Sequence, residues 1–380
     1  MDINELRTEI DGVDKQIIEL FKQRMAISEN IASYKQSVGK AVYDPERERK
    51  KLVEVSSMVP EDMKTSAVML FSTLFELSST HQMQVMNKTT ALAEQITRAI
   101  ENTPKQFPRF PIVACQGVEG AYSQIACEKL FQTPNIMYFN NFEGVFSAIE
   151  NGMCEYGVLP IENSTAGSVN RIYDLMAKHN CYVVRSARLK VDHSLLAKKG
   201  VKKEQIKEIY SHEQALNQCE AFLKSLPGVT VTVVENTAVA AKMVAESERD
   251  DVAALSSHSC ASLYGLECLA ASVQDQGNNY TRFICISKNL EIYPGADRTS
   301  IMCVVPHRPG SLYKVLSRFF ALGINLQKLE SRPIPDRDFE YMMYFDFDTP
   351  LYSKEFVQVI SELETMCEDF RYFGSYSEIV

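Results

Sequence analysis

Arg24, Ser28, Ile31 and Lys35 fall on one stripe of a helix, spanning roughly 80° of the wheel at about 100° per residue. The same stripe carries Leu6, Ile10, Val13, Ile17 and Leu20 upstream, so it is the side on which core residues belong. An arginine and a lysine there need an anion, because an uncompensated buried cation is strongly unfavourable. A second helical pattern aligns Asp44, Glu48, Leu52 and Val55, with Arg47 beside them, and a third aligns Phe71, Phe75, Ser78, Gln82 and Val85. Three inward stripes thus carry polar groups. Either Arg24, Lys35 and Arg47 surround an anionic ligand, or Asp44 and Glu48 balance them in a neutral structural network. Arg7 lies about 100° around the wheel from Arg24. It points away from its own site, in a direction that reaches a partner subunit's.

A second group of residues sits in the middle of the chain. "CQGVEGAYS" follows an apolar run and opens a helix, so its glycines either present N–H groups to an anion or make a plain tight turn. In "PIENSTAGSVN", Glu162 and Asn163 end a strand and precede a helix start, the edge where ligands bind α/β sheets. "YSHEQALNQC" repeats the arrangement with Ser211, His212, Gln214 and Gln218. Taken singly, each is also ordinary helix capping. "NNYTRF" sets Thr281 and Arg282 at the start of a strand, where a plain edge pair is the alternative.

The elements that must position these residues change character along the chain. Residues 1 to about 100 read as helix, with a break at "SVGKAVYDPE" where Gly39 stops one helix, Asp44 caps the next and Pro45 fits its first turn. A first helix from about Asn4 to Gln36 is roughly 50 Å long at 1.5 Å per residue. A domain of about 100 residues cannot cover such a rod, so an intertwined dimer is expected. A third helix starts near Glu61, and "ENTPKQFPRFP" reads as a linker. From Ile112, short apolar runs alternate with helical patterns, which predicts α/β organisation with a largely parallel sheet. After "SKNLEIYPGADRTS" the order is strand, helix, strand, strand, helix, strand, that of a small ferredoxin-like domain. The expected boundaries are 1–100, 110–290 and 298–380.

Composition narrows the function classes. At 45% hydrophobic and 23% charged residues the 380-residue chain is globular and large enough for two or three domains. A net charge of −9 argues against nucleic acid. "MDINELRTEID" lacks the basic start and apolar run of a signal peptide, and no apolar run approaches a membrane span, so a cytoplasmic protein is expected. Ten scattered cysteines without a C-x-x-C pair predict core thiols, and six histidines without H-x-x-x-H spacing point to no metal.

The helical region resembles the all-helical class of chorismate mutase through "LRTEID", "RMAISENIASYK", "DPERE" and "SSTHQ". The resemblance implies a cofactor-free rearrangement of a dianion through a chair-like transition state, driven by conformational restriction and electrostatics. It implies that Arg7 from a second subunit, Arg24 and Arg47 hold carboxylates, with Asp44 and Ser78 also lining the site. It implies further that Lys35 and Gln82 donate to the ether oxygen and that Glu48 takes the ring hydroxyl.

Residues 110–290 resemble prephenate dehydratase, since G-x-x-G-x-Y-S, P-I-E-N, S-H-x-Q-x-x-x-Q-C and T-R-F occur in family order. The family fold is two α/β lobes with substrate between them. Prephenate loses CO₂ and its ring hydroxyl, and the departing hydroxyl is the electron sink, so no cofactor is implied. The resemblance makes Thr281 central, with Glu162, Asn163, Ser211, Gln218 and Glu235 around it. An alkyl hydroxyl is a poor acid, so Thr281 orients or relays, and a carboxyl with a raised pKa, Glu162 or Glu235, is the candidate proton source.

The last segment resembles ACT domains, amino-acid sensors that pair side by side and bind phenylalanine. "HRPGSLYKVL" and "LESRPI" carry the likeness and imply Gly310, Ser311, Leu312, Glu330 and Ser331 as effector contacts. Ser311 stands where family members often carry alanine. Together these resemblances imply a bifunctional enzyme of phenylalanine biosynthesis under phenylalanine feedback, a homodimer or higher homo-oligomer. The rival from another class is a non-catalytic metabolite sensor, against which Lys35, Gln82 and Thr281 argue, since binding alone does not need all three.

Overall fold

The computed structural model describes residues 2–86, 90–321, 323–335, 337–349, 351 and 354–380. It divides into two compact units, Met1–Glu94 with Gln358–Thr365, and Gln95–Val357 with Met366–Val380.

The first unit is helical. α1 (Ile3–Ser37) ends where Gly39 takes a left-handed φ of 67°. Asp44 accepts a hydrogen bond from the Arg47 backbone N–H at 3.1 Å and so caps α2 (Pro45–Ser57), with Pro45 in its first turn. One 3₁₀ turn at Glu61–Met63 leads into α3 (Lys64–Val85). α1 and α2 both pack on α3. The buried part of α1 is confined to Ser28 and Ala32 near its C-terminal end. Its upstream stripe stays open, from Leu6 at 45% exposure to Leu20 at 63%. α4 (Ala91–Asn102) follows, its first four residues in this unit and the rest in the second.

The second unit contains three sheets. In the first lobe, β1 (Ile112–Gln116), β2 (Asn135–Phe139), β3 (Tyr156–Asn163), β4 (Gly167–Ser168) and β5 (Tyr182–Lys190) alternate with α5 (Tyr122–Leu130), α6 (Phe142–Glu150) and α7 (Asn170–Lys178). The second lobe holds β6 (His193–Ala197), β7 (Glu208–Ser211), β8 (Thr230–Val233), β9 (Val252–Ser257) and β10 (Glu267–Ala270), with α8 (Glu213–Gln218), α9 (Glu220–Lys224), α10 (Thr237–Glu246) and α11 (Ser259–Leu263). The chain then returns through β11 (Tyr280–Ser287), which inserts antiparallel between β3 and β5. The first sheet has the order β16-β5-β11-β3-β1-β2, where β16 is the C-terminal Glu378–Ile379 and β4 lies beside β3, and the second β10-β6-β9-β7-β8. Both are mixed: β6 also runs antiparallel to β9 and β10, so the largely parallel expectation is corrected. The physical reason is the excursion into the second lobe, which brings β11 back without a helical crossover.

The third sheet, in the order β13-β14-β12-β15, comprises β12 (Arg298–Val304), β13 (Leu326–Pro333), β14 (Tyr341–Asp348) and β15 (Asp369–Tyr376), all paired antiparallel. Along the chain, α12 (Ser311–Ala321) and α13 (Lys354–Met366) complete the split βαβ order that the sequence predicts, although Gln358–Thr365 of α13 belongs to the first unit. This sheet is not a separate bead. β16 (Glu378–Ile379) pairs parallel with β5, and Gly374, at φ 134°, lies so close to β5 that a Cβ there would stand 2.3 Å from the Val183 carbonyl oxygen.

Candidate active sites

In the helical unit, Arg24 donates to the Leu74 carbonyl at 2.6 Å and to the Ser78 hydroxyl, with its guanidinium 5.6 Å from the Phe75 ring centre. Burial pushes the Arg24 guanidinium below its ordinary pKa. Ser78 and Gln82 are 5% and 7% exposed, and the Gln82 Oε1 has no partner. About three turns of α1 further on, Lys35 donates to the Val42 carbonyl. Burial lowers the Lys35 pKa while Asp44 and Glu48 act in the opposite sense and Arg47 adds to the lowering. Arg24 and Ser78 therefore touch, and Lys35 feels the charges at the start of α2. Arg7, Asp44 and Arg47 are exposed and Glu48 is half-buried. Arg24 and Lys35 both donate to neutral oxygens, and the carboxylates of Asp44 and Glu48 act on Lys35 as well.

The cleft site is built differently. Asn163 Nδ2 donates to Asn279 Oδ1 at 2.7 Å, Asn279 Nδ2 to Gln218 Oε1 at 2.9 Å, Gln218 Nε2 to Thr165 Oγ1 at 3.1 Å, and Thr165 Oγ1 to Asn163 Oδ1 at 2.7 Å. Four side chains close a ring in which each donates to the next, and it joins the end of β3 to α8 of the second lobe. Such rings strengthen each member bond. Asn163 Oδ1 also accepts from the Thr165 and Ala166 backbone N–H groups at 3.0 and 2.9 Å, which shapes the loop after β3. Asn163 Nδ2 has a second acceptor, the Thr281 Oγ1 at 2.9 Å. A hydroxyl that accepts here keeps its own proton for another partner.

Gln218 Oε1 also lies 3.1 Å from His193 Nε2. An amide oxygen only accepts, so Nε2 carries the proton, and Nδ1 is left bare, buried and without a partner. Burial lowers the His193 pKa, partly offset by the bond to Gln218. Thr165, His193 and Asn279 join this candidate site through those bonds, and the sequence reading omits them. Ser211 is buried and donates to the Leu255 carbonyl at 2.7 Å, away from the ring. Glu235 is exposed just ahead of α10, next to its cap Asn236.

Glu162 faces the opposite side of the sheet from Asn163, as alternation along a strand requires. Burial works to raise its pKa, but Arg282 and Lys328 win and hold it below the ordinary carboxylate value. This reverses the raised value expected of a proton source. The glycine-rich turn resolves too: the Gly117 N–H is bonded to the Phe139 carbonyl at 2.9 Å and the Gly120 N–H to Gln124 Oε1 at 2.7 Å, so these donors serve the turn.

In the third sheet, Gly310 has φ 85° at the start of α12, and a groove runs past Val304, Pro306, Arg308, Ser311, Leu312 and Tyr341. On β13, Glu330 turns inward and accepts from Ser168 Oγ, while Ser331 is exposed on the other side. The strand's alternation thus separates these two expected effector contacts.

The chain belongs to the prephenate dehydratase family. The family model "Prephenate dehydratase" matches residues 113–291. An arogenate dehydratase/prephenate dehydratase of Arabidopsis thaliana is 37% identical over 296 residues, covering 75% of this chain and 76% of that protein. Ahead of the dehydratase region, the model "Chorismate mutase type II" matches residues 6–83. A bifunctional chorismate mutase/prephenate dehydratase of Aquifex aeolicus aligns over 99% of this chain and 98% of its own length at 29% identity. Among solved structures, a prephenate dehydratase from Arthrobacter aurescens in complex with L-Phe superposes with a TM-score of 0.64 at 26% identity, covering 70% of this chain and 89% of that one.

Proposed function

We infer that this protein is a bifunctional chorismate mutase and prephenate dehydratase of phenylalanine biosynthesis, regulated by phenylalanine. In the helical unit, Arg24 and Arg47 bind the carboxylates of chorismate. Lys35 and Gln82 donate to the ether oxygen as its bond to the ring breaks, and Glu48 orients the ring hydroxyl. No proton need move, so the work is restriction and charge stabilisation. The open apolar stripe of α1 supports a homodimer in which each Arg7 serves the other subunit's site.

In the cleft, the electrons of the breaking carbon–carboxylate bond enter the ring as the hydroxyl leaves, giving phenylpyruvate, CO₂ and water with one proton taken up. The observation that carries this reading is the Thr281 hydroxyl, which accepts from Asn163 and so has its proton free for the departing oxygen. With Glu162 ionised against two cations, its role is structural, and Thr281 relays a proton from solvent or substrate. Phenylalanine binds the C-terminal sheet near Gly310, Ser311, Leu312 and Ser331. Segments 1–100, 110–290 and 298–380 serve as mutase, dehydratase and regulatory domains. Among the described residues no helix is long and apolar enough to cross a membrane.

The test is direct. Chorismate added to the pure protein, with no cofactor supplied, should yield phenylpyruvate, read by its ultraviolet absorbance in alkali. A protein that binds chorismate or prephenate but converts neither would be a sensor.

A further inference from the structure

Behind the cleft, on the reverse face of β3 and β11, lies a charge cluster centred on the buried Arg282, which joins the dehydratase sheet to the C-terminal sheet. Arg282 Nη2 stands 2.7 Å from Glu162 Oε1 and 2.7 Å from Asp346 Oδ2 on β14. Lys328 on β13 pairs with the other oxygen of Glu162 and donates to Ser168 Oγ at 2.8 Å. Ser300 Oγ donates to Asp346 Oδ1 and also meets the Tyr376 hydroxyl at 2.7 Å. Each of the two cations is paired with a carboxylate, so removing any one of the four members leaves a charge short of its partner. Arg282 is 5% exposed, which removes water as a substitute partner.

Its position relative to the cleft follows from strand geometry. Thr281 pairs with Asn163 across β11 and β3, and Arg282 pairs with Glu162. Successive residues point to opposite faces. Each member of the cleft pair is thus the chain neighbour of a member of the cluster. A register shift between Arg282 and Phe283 marks a bulge at this point, which makes the strand ends locally adjustable. The C-terminal sheet supplies half of the cluster through the inward row of β13 and through β14. Arg332, two residues beyond Glu330 in that row, holds Asp174 of α7 through two bonds at 3.0 and 3.1 Å. Tyr344 donates to the Tyr173 carbonyl at 2.8 Å. The outward Ser331 sits on the same strand, between Glu330 and Arg332.

We propose that Glu162 and Arg282 are positioning residues, and that the Glu162–Arg282–Asp346–Lys328 cluster sets the placement of Asn163 and Thr281 and transmits ligand binding at the C-terminal sheet to the dehydration site. The proposal rests on the dehydratase reading above. A ligand on the outer side of β13 moves the inner row of the same strand. Because Arg282 is almost fully buried and held by one carboxylate from each sheet, it has few arrangements available, and the strand pair must follow it. Regulation then acts on the orientation of the Thr281 hydroxyl relative to substrate rather than by filling the cleft.

The experiment uses the full chain with Lys328→Met, Asp346→Asn and Lys328→Arg. Neither position touches the cleft ring. Prephenate dehydration is measured as separate kcat and KM, with and without phenylalanine, alongside chorismate mutase rate and thermal unfolding. We expect Lys328→Met and Asp346→Asn to lower kcat by about tenfold, with KM changed by less than about threefold, and to shift the half-inhibitory phenylalanine concentration by about fivefold or more. Lys328→Arg restores most of both, and mutase activity stays at the wild-type value. Wild-type kcat and phenylalanine response in both charge-removing variants would overturn the proposal. So would a kcat loss that Lys328→Arg does not restore and that tracks a fall in unfolding temperature. If the wild type itself leaves prephenate unchanged, the dehydratase reading fails, and this proposal with it.

Discussion

The two candidate active sites hold their polar groups in opposite ways. In the cleft, Asn163, Thr165, Gln218 and Asn279 satisfy one another, so the site is assembled before any substrate arrives. In the helical unit, Arg24 and Lys35 lean on carbonyls and a hydroxyl, and the Gln82 oxygen has no partner. A neutral amide ring can be closed by the residues of one chain. A cationic pocket is completed by what it binds. On the proposed reading, the first chemistry needs a well-placed hydroxyl, and the second needs cations that Asp44 and Glu48 offset only in part.

That contrast can be broken most severely at the charged site. Lys35→Ala or Gln82→Ala should cost the mutase about 10²–10³ in kcat, the usual loss for one donor to a developing oxyanion. Prephenate dehydration by the same preparations should continue, and equal loss of both activities would dissolve the two-site distinction. In the cleft, Thr281→Ala should lower dehydration by about 10², with prephenate accumulating from chorismate. Wild-type phenylpyruvate formation would make Thr281 an ordinary strand residue.

Smaller effects sharpen the comparison. Asn279→Ala opens the amide ring and leaves Asn163 and Gln218 each short of a partner. Unpaired buried groups cost about 1–3 kcal/mol, so dehydration should fall by about tenfold while Lys35-dependent chemistry is untouched. For pH, His193 has a folded pKa below its ordinary value of about 6.5 because burial disfavours the imidazolium. Between the two values the unfolded chain binds more protons. The stability due to neutral His193 is therefore complete above about pH 6.5 and is lost as pH falls through the folded value. Dehydratase kcat/KM should carry an acidic limb there that His193→Gln moves, and the mutase should carry none moved by that change. Smallest, Ser331→Ala should weaken phenylalanine inhibition by severalfold, read as dehydration rate against phenylalanine concentration.

Much of this was legible along the chain, and the misses share one cause. Gly39, Asp44 and Pro45 act within a few residues of themselves, so the start of α2 could be read directly. Period-two alternation could have warned that Glu162 and Asn163 serve opposite faces, yet the motif carried both toward the cleft together. Thr165, His193 and Asn279 were missed because their partners lie far away in sequence: Gln218 reaches Thr165 across 53 positions and Asn279 across 61. The second asparagine of "NNYTRF" was the one local signal. The antiparallel return of β11 was hidden for the same reason, since its pairing with β3 follows from a whole lobe inserted between them.

Gly374 bears on how such chains can be recombined. With no room for a Cβ against the Val183 carbonyl, the seam between β15 and β5 is a matched surface belonging to neither region alone. A chimera that grafts a foreign sensor after residue 297 inherits Val183 from one parent and its counterpart from the other. Unless the donor also places glycine at that point, the graft must push the edge of the catalytic lobe aside, so productive crossovers should be sought where both halves of the seam travel together.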